Sequence, residues 1–294
     1  MPKTRILTQQ AIPGANLGET FTASIPTRII LPQKGEAYWS DLFLGFRGTL
    51  AAATTVALET FLALVNPLIF TANETRISMR ARDLFALSLA FYAQPPSGVE
   101  GAAATTDKVL GIRIPIWVNP KPNESYGFAI TRVAVTNISA ETLNLSLGWN
   151  SKKSAGGRID AREIPFTTPG ATGITQVTPK LPKVGKLLGL LVFSTTAPTP
   201  AADTAGVQHL FLDSPTTRYV SADWGDLQAS LESSEDMTRA NATEMMLRNV
   251  MTNYGWLDFR DDPIDLVAED VSLSIDAQVV SEAERFIPII EVPQ

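Results

Sequence analysis

The chain has 294 residues, 45% of them hydrophobic and 18% charged, which is an ordinary globular balance in a length suited to one large or two medium domains. With 24 basic and 30 acidic residues its net charge is −6, and no lysine or arginine cluster exceeds two adjacent residues, which argues against a phosphate-tracking nucleic-acid surface. It has no cysteine, so disulfides, thiolate catalysis and cysteine-ligated zinc are ruled out, and its single histidine confines imidazole chemistry to one position.

The start, MPKTRILTQQ, is polar and lacks the apolar segment of a secretory signal. No run reaches the ~18 apolar residues that cross a bilayer. Alternating runs then predict strands in order. Thr27 to Leu31 ends at Pro32, and Ser40 to Phe46 (SDLFLGF) precedes an Ala/Thr-rich connection. Leu68 onward is an apolar strand that meets a polar turn at Asn73, then Thr75-Arg76-Ile77, then Asp83-Leu84-Phe85-Ala86, where a helix from Asp83 to Ala93 is expected with Asp83 as its cap. Ile112 to Val118 (IRIPIWV) alternates cleanly until Asn119-Pro120-Lys121-Pro122 stops it, since a proline cannot donate to a ladder. Arg132 to Asn137 and Leu143 to Trp149 are the next expected strands.

The polar, glycine-bearing stretch Asn150 to Gly157 (NSKKSAGG) reads as a junction, giving domains 1–152 and 153–294. Beyond it the strand series begins again at Arg162 to Thr167, Leu187 to Thr195, Val207 to Leu212 and Thr217 to Val220. Two helices follow, Asp226 to Ser233 with Asp226 as cap, and Thr238 to Asn253 with Ala242, Met245, Met246 and Val250 on one face. The closing strands are Trp256 to Phe259, Val271 to Ile275, and Phe286 to Val292.

One passage occurs twice, about 140 residues apart, in units each long enough to bury a core of its own. Leu68 to Ser88 and His209 to Leu231 both run strand, polar turn (Asn73 or Asp213), Thr-Arg plus a large apolar residue (Thr75-Arg76-Ile77 or Thr217-Arg218-Tyr219), then Asp-Leu-x-Ala from Asp83 or Asp226. The flanks agree as well. Val133-Ala134-Val135 and Leu143 to Trp149 correspond in order to Val271-Ser272-Leu273 and Phe286 to Val292. The fold class is therefore all-β and internally duplicated, with helices as the minority element.

The residues that could carry chemistry also have plainer readings. His209 lies in the apolar strand VQHLFL, and although Asp213 and Asp223 are near in sequence, no Gly-x-Ser-x-Gly elbow accompanies it, so a structural histidine is favoured. Asp258, Asp261, Asp262, Asp265, Glu269 and Asp270 form the densest acidic cluster. Paired carboxylates there could hydrolyse a glycosidic bond or collect calcium, yet Asp261-Asp262-Pro263 has the chemistry of a turn and the EF-hand spacing is absent. Gly170 to Gly173 and Gly185 to Gly189 match no phosphate-binding loop and read as turns and a strand edge. Arg80, Arg82, Lys152 and Lys153 read as a solvated face. Tyr38, Trp39, Trp117, Trp149, Trp224 and Trp256 are dispersed at element boundaries, which suits core filling better than base stacking. The sequons at Asn73, Asn123, Asn137, Asn144 and Asn241 are incidental to a Thr- and Asn-rich chain.

The segments Val56 to Tyr92, Val207 to Leu231 and Gly255 to Pro293 together resemble the major capsid proteins of tailless icosahedral viruses with an internal membrane. That resemblance implies two consecutive eight-stranded antiparallel jelly-roll barrels with a few short helices in the connections. It implies a structural, non-enzymatic subunit of the virion, made in the host cytoplasm, with no catalytic, cofactor-binding or metal residues. Its expected partners are two further copies in a homotrimer of pseudo-hexagonal outline, neighbouring capsomers, minor capsid or vertex proteins, and an internal viral membrane it can touch. Direct nucleic-acid binding is not expected. The alternatives are a virion spike or carbohydrate-binding β-module that uses the acidic cluster with calcium, and a carboxylate-based glycoside hydrolase.

Overall fold

Alternation dominates the folded chain as it dominates the sequence. A computed structural model describes residues 3–11, 20–24, 38–50, 62–92, 107–133, 135, 138–150, 156–164, 174–194, 206–233, 253–278 and 284–294. The expected strand at 27–31, the glycines at 170–173, residues 238–252 of the expected third helix, residues 151–155 of the junction, and Asn137 and Asn241 lie outside these residues. Among the described residues the chain divides into two compact units, one of 3–160 with Pro293–Gln294 and one from Ala161 to Val292.

The first unit contains β1 (Lys3–Ala11), β2 (Thr20–Ser24), β3 (Tyr38–Leu50), β4 (Val65–Ala72), β5 (Glu74–Met79), α1 (Ala81–Tyr92), β6 (Asp107–Val118), β7 (Tyr126–Arg132) and β8 (Ile138–Asn150). Its two antiparallel sheets have the orders β1-β8-β3-β6 and β5-β4-β7-β2. The inner faces are aliphatic: Leu42, Leu44 and Phe46 of β3, Ile112, Ile114 and Ile116 of β6, and Leu143, Leu145 and Leu147 of β8 oppose Leu68, Phe70, Ile77, Phe128 and Ile130. Each such side chain contributes about 1.5–3 kcal/mol on burial. Trp39 ties the two layers together, meeting Trp149 edge-on at 5.6 Å within its own sheet and Tyr126 of β7 at 4.9 Å. At the end of β6, Trp117 takes a left-handed φ of 47°; its carbonyl accepts from Gln294 Nε2 at 2.9 Å while the Asn119 N–H donates to Gln294 Oε1 at 2.6 Å.

The division falls within β9 (Gly157–Arg162). The second unit contains β10 (Ile174–Val177), β11 (Lys186–Phe193), β12 (Val207–Asp213), β13 (Arg218–Asp223), α2 (Trp224–Ser233), β14 (Tyr254–Asp258), β15 (Ile264–Asp265), β16 (Ser272–Gln278) and β17 (Arg285–Pro293). One sheet has the order β10-β16-β12-β13, and in the other β14 and β17 flank β11, with β15 also pairing β11. Its core gathers Leu187, Leu190, Val192, Leu210, Leu212, Leu227, Leu273, Ile275 and Phe286.

These orders are the same order. Substituting β3, β6 and β8 by β11, β14 and β17, and β2, β4, β5 and β7 by β10, β12, β13 and β16, converts the pairings of the first unit into those of the second. Even the irregularities recur. β3 shifts register between Trp39 and Asp41, so that core residues fall at Trp39 and then Leu42; β11 shifts between Leu187 and Gly189, so that they fall at Leu187 and then Leu190. Each β-hairpin that precedes a helix also carries a shift, at Phe70/Thr71 and at Leu212/Asp213.

Three sequence expectations need correction. The strand expected at Arg132 to Asn137 instead ends at Arg132, because Tyr126, Phe128, Ile130 and Arg132 form the buried set that pairs with β2 and β4; the counterpart of β16 is thus β7, not Val133 to Val135. The strand expected at Arg162 to Thr167 lies earlier, at Gly157 to Arg162, where Arg158 and Asp160 are buried. Neither Asp83 nor Asp226 stands at the N-cap position. Both occupy the third helical position, and α1 opens with the Leu84 N–H donating to the Arg80 carbonyl at 3.0 Å. At α2 the cap is Asp223, whose Oδ1 accepts the Asp226 N–H at 2.9 Å while Asp226 Oδ2 accepts the Asp223 N–H at 3.2 Å, a reciprocal capping box.

Candidate functional site

The residues singled out by sequence are occupied with local structure. His209 on β12 shares a hydrogen bond between Nε2 and Ser221 Oγ at 3.1 Å, and its ring lies 4.5 Å from that of Phe211. Asp213 is held by Arg218 at 2.8 Å, and Asp223 caps α2, so neither carboxylate orients the imidazole. The two Thr-Arg dipeptides are also out of register by one residue. In the first hairpin Thr75 opposes Thr71 and Arg76 is the bulged residue; in the second Arg218 opposes Asp213 and Tyr219 is the bulged one. Arg76 is accordingly buried, 3.6 Å from Asp160, whereas Arg218 is exposed.

The acidic cluster is dispersed in the same way. Arg260 contacts both oxygens of Asp258, and these hydrogen bonds outweigh burial, which acts in the opposite sense, to hold that carboxyl below its ordinary range. Asp265 accepts the Ala268 and Val267 N–H groups at 3.0 and 2.9 Å, which lowers it as well. Glu269 accepts from the Tyr219 hydroxyl, Asp270 pairs with Lys183 at 2.5 Å, and Asp261 and Asp262 sit exposed in the turn closed by the Asp262 N–H on the Phe259 carbonyl. No three carboxylate or imidazole groups converge on a metal position among the described residues. The glycines are architectural. Gly185 turns into β11 with φ 65°, and a Cβ on Gly189 would lie 2.1 Å from the Trp256 indole. Trp39, Trp149, Trp224 and Trp256 are core, each 3% exposed or less.

One polar cluster was not visible in the sequence. The shift at Ser40 turns Asp41 away from the hydrophobic face and places it, 1% exposed, against the outer side of the β3–β6 pair. Ser40 Oγ donates to it at 2.5 Å, the Tyr92 hydroxyl at the end of α1 also donates, and Arg113 of β6 approaches its two oxygens at 3.0 Å each. The Arg113 guanidinium also stacks 3.9 Å from the centre of the Tyr92 ring. Burial, then the Asp41 charge and hydrogen bond, push the Tyr92 hydroxyl well above the usual tyrosine range, with Arg113 opposing. The only sequence signal is an acid out of phase at the head of an apolar strand. The arrangement fastens a helix to a sheet and offers no open position to a substrate.

The duplicated strand order therefore carries more functional information than any side-chain cluster. No protein-family model and no curated protein matches the chain. Solved structures match it over nearly its full length. The major capsid protein of STIV, the Sulfolobus turreted icosahedral virus, aligns with a TM-score of 0.67 at 12% identity, covering 99% of this chain and 96% of that one. The major capsid protein P2 of bacteriophage PM2 aligns with a TM-score of 0.61 at 11% identity, covering 100% and 98%. This chain has the double jelly-roll fold of viral major capsid proteins. The PBCV-1 virus capsid aligns as well, with a TM-score of 0.54 at 7% identity, covering 99% and 93%.

A double jelly roll persists at such low identity because the pattern of buried positions and total core volume set the fold, while the particular aliphatic residues are interchangeable. The helices α1 and α2 then have one meaning. Each leaves the same strand of its barrel, β5 or β13, and packs on the same next strand, β6 or β14.

Proposed function

We propose that the chain is the structural major capsid subunit of a virion, without enzymatic activity, assembling as homotrimers whose pseudo-hexagonal outline tiles an icosahedral shell. The single observation that supports this reading is the strand order repeated in two units, matched end to end by capsid subunits. Three copies of a two-barrel chain place six similar barrels around one axis, and closed cyclic symmetry leaves no unsatisfied heterologous contact. Each compact unit would form one barrel, the units being divided at 160/161, eight residues beyond the 152/153 junction expected from the sequence. The subunit would meet neighbouring capsomers and minor capsid or vertex proteins, above an internal membrane. A net charge of −6 without a basic stripe fits a shell whose genome lies beneath such a layer.

Light scattering on the purified protein at neutral pH tests the reading. A mass near 95 kDa, three times the 31.7 kDa of the chain, is expected. A strict monomer at high protein concentration would overturn it.

A further inference from the structure

Among the described residues β6 pairs with β3 alone, so its other side presents backbone groups that a strand of another chain could fill. Those groups are met in turn by separate devices. The Arg113 N–H points away from β3 and donates to Ser88 Oγ of α1 at 3.3 Å. Backbone groups alternate sides along a strand, so the next residue facing outward is Pro115, which has no N–H to offer. Beyond it Ile116 and Trp117 together stand opposite Ser40, a bulge that interrupts the outer row. The two groups that follow, the Trp117 carbonyl and the Asn119 N–H, are taken by the carboxamide of Gln294 at 2.9 and 2.6 Å.

The last of these devices carries strain. Trp117 has a φ of 47°, a region that large L residues rarely occupy, and such outliers persist only where the surroundings hold them. The holding group is Gln294. It lies 175 residues from Asn119 in sequence, so this is no local turn, and it supplies the donor and the acceptor that a neighbouring strand would otherwise bring. The Trp117 indole meets Phe91 edge-on at 5.8 Å and stays partly exposed, so packing of the ring does not by itself fix the backbone.

We propose that Gln294 is a strap on the outer edge of β6: its carboxamide stands in for a strand, holds Trp117 left-handed, and keeps that edge closed to strands of other copies. When the strap is released, Trp117 relaxes to extended backbone, and its carbonyl and the Asn119 N–H become the open end of an edge. Ser88 and Pro115 stay in place, so the opening is confined to that end. The residue must be an amide, because it donates to one group and accepts from the other, whereas an ionised glutamate could only accept.

Trp117 makes the strap observable, because the other four of the five tryptophans are each 3% exposed or less. In Q294A, acrylamide quenching of tryptophan fluorescence is expected to rise and the Asn119 amide hydrogen to exchange about tenfold faster or more, while the amides of β11 and β12 keep their rates. Q294E keeps the acceptor and loses the donor, so it should move both readouts in the same direction by less, and it serves where Q294A fails to fold. Light scattering should show larger species in Q294A than in the unaltered chain at equal concentration. Glycine adopts left-handed backbone without strain, so Q294A should lower the urea midpoint less in a W117G background than in the unaltered one. An Asn119 amide that exchanges at one rate in all three proteins overturns the strap. Faster exchange without larger species overturns the closure of the edge, and an equal loss in both backgrounds overturns the hold on Trp117.

Discussion

Asp41 is a carboxylate at 1% exposure, and its survival there depends on the three neighbours that meet it. Removing one partner of a buried ion pair costs about 3–5 kcal/mol because the other charge stays buried, and the loss is smaller where water reaches the pair. Arg113 is 33% exposed, so R113M should destabilise the protein by about 2–3 kcal/mol in urea titrations. D41N keeps the acceptor for Tyr92 and should cost less. Tyr92 adds a pH dependence whose sign is set by its raised pKa. The unfolded chain releases this proton near pH 10 whereas the folded one retains it, so the stability it contributes is full below about pH 10 and is lost as pH rises through the folded value. Burial raises Tyr126 in the same direction. Stability measured from pH 8 to 11 should fall at the alkaline end, and the fall should be shallower in Y92F. An unchanged slope in Y92F would remove Tyr92 from the latch.

The two helix-to-strand contacts are alike in topology, and a glycine lies on each strand. A methyl on Gly255 of β14 would have to displace α2, since it would lie 2.6 Å from Leu227 Cβ, and overpacking of this kind costs about 1–3 kcal/mol. Gly111 of β6 has nothing within 4 Å of its would-be Cβ, and stiffening the unfolded chain there should be neutral or stabilising by up to about 1 kcal/mol. Thermal melts of G255A and G111A should therefore shift in opposite directions, or G111A not at all; equal destabilisation would show that Gly111 is as closely packed as Gly255. Elements of this kind were legible where one face is apolar throughout, as in Ile112 to Val118 or Leu187 to Phe193. They were misplaced where tertiary partners decide. TRVAVT alternates as well as YGFAITR does, and only pairing with β2 and β4 selects the latter. In β9 the buried residues include Arg158 and Asp160, which read as surface until Glu124 and Arg76 arrive from more than thirty residues away. Asp41 was illegible for the same reason, its partners lying on two other elements.

At the scale of the whole molecule the duplication was readable because a hairpin followed at once by a helix recurs at fixed spacing, although the Thr-Arg identity that drew notice proved one residue out of register. None of the titratable clusters offered by the sequence converges on a metal position among the described residues, so the duplication carries what the side chains do not. Assembly has a thermodynamic signature that does not depend on knowing the interface. If native chains bind one another and unfolded ones do not, mass action makes the melting temperature rise with concentration. A chain of 294 residues has an unfolding enthalpy of about 200 kcal/mol, so a trimer that melts to three free chains gains about 1.5 °C for each tenfold increase in concentration. Calorimetry over a hundredfold range should show a rise of about 3 °C. A flat profile would mean that the chains part before they unfold, and the melting temperature would then be that of the single chain, held only by its two cores.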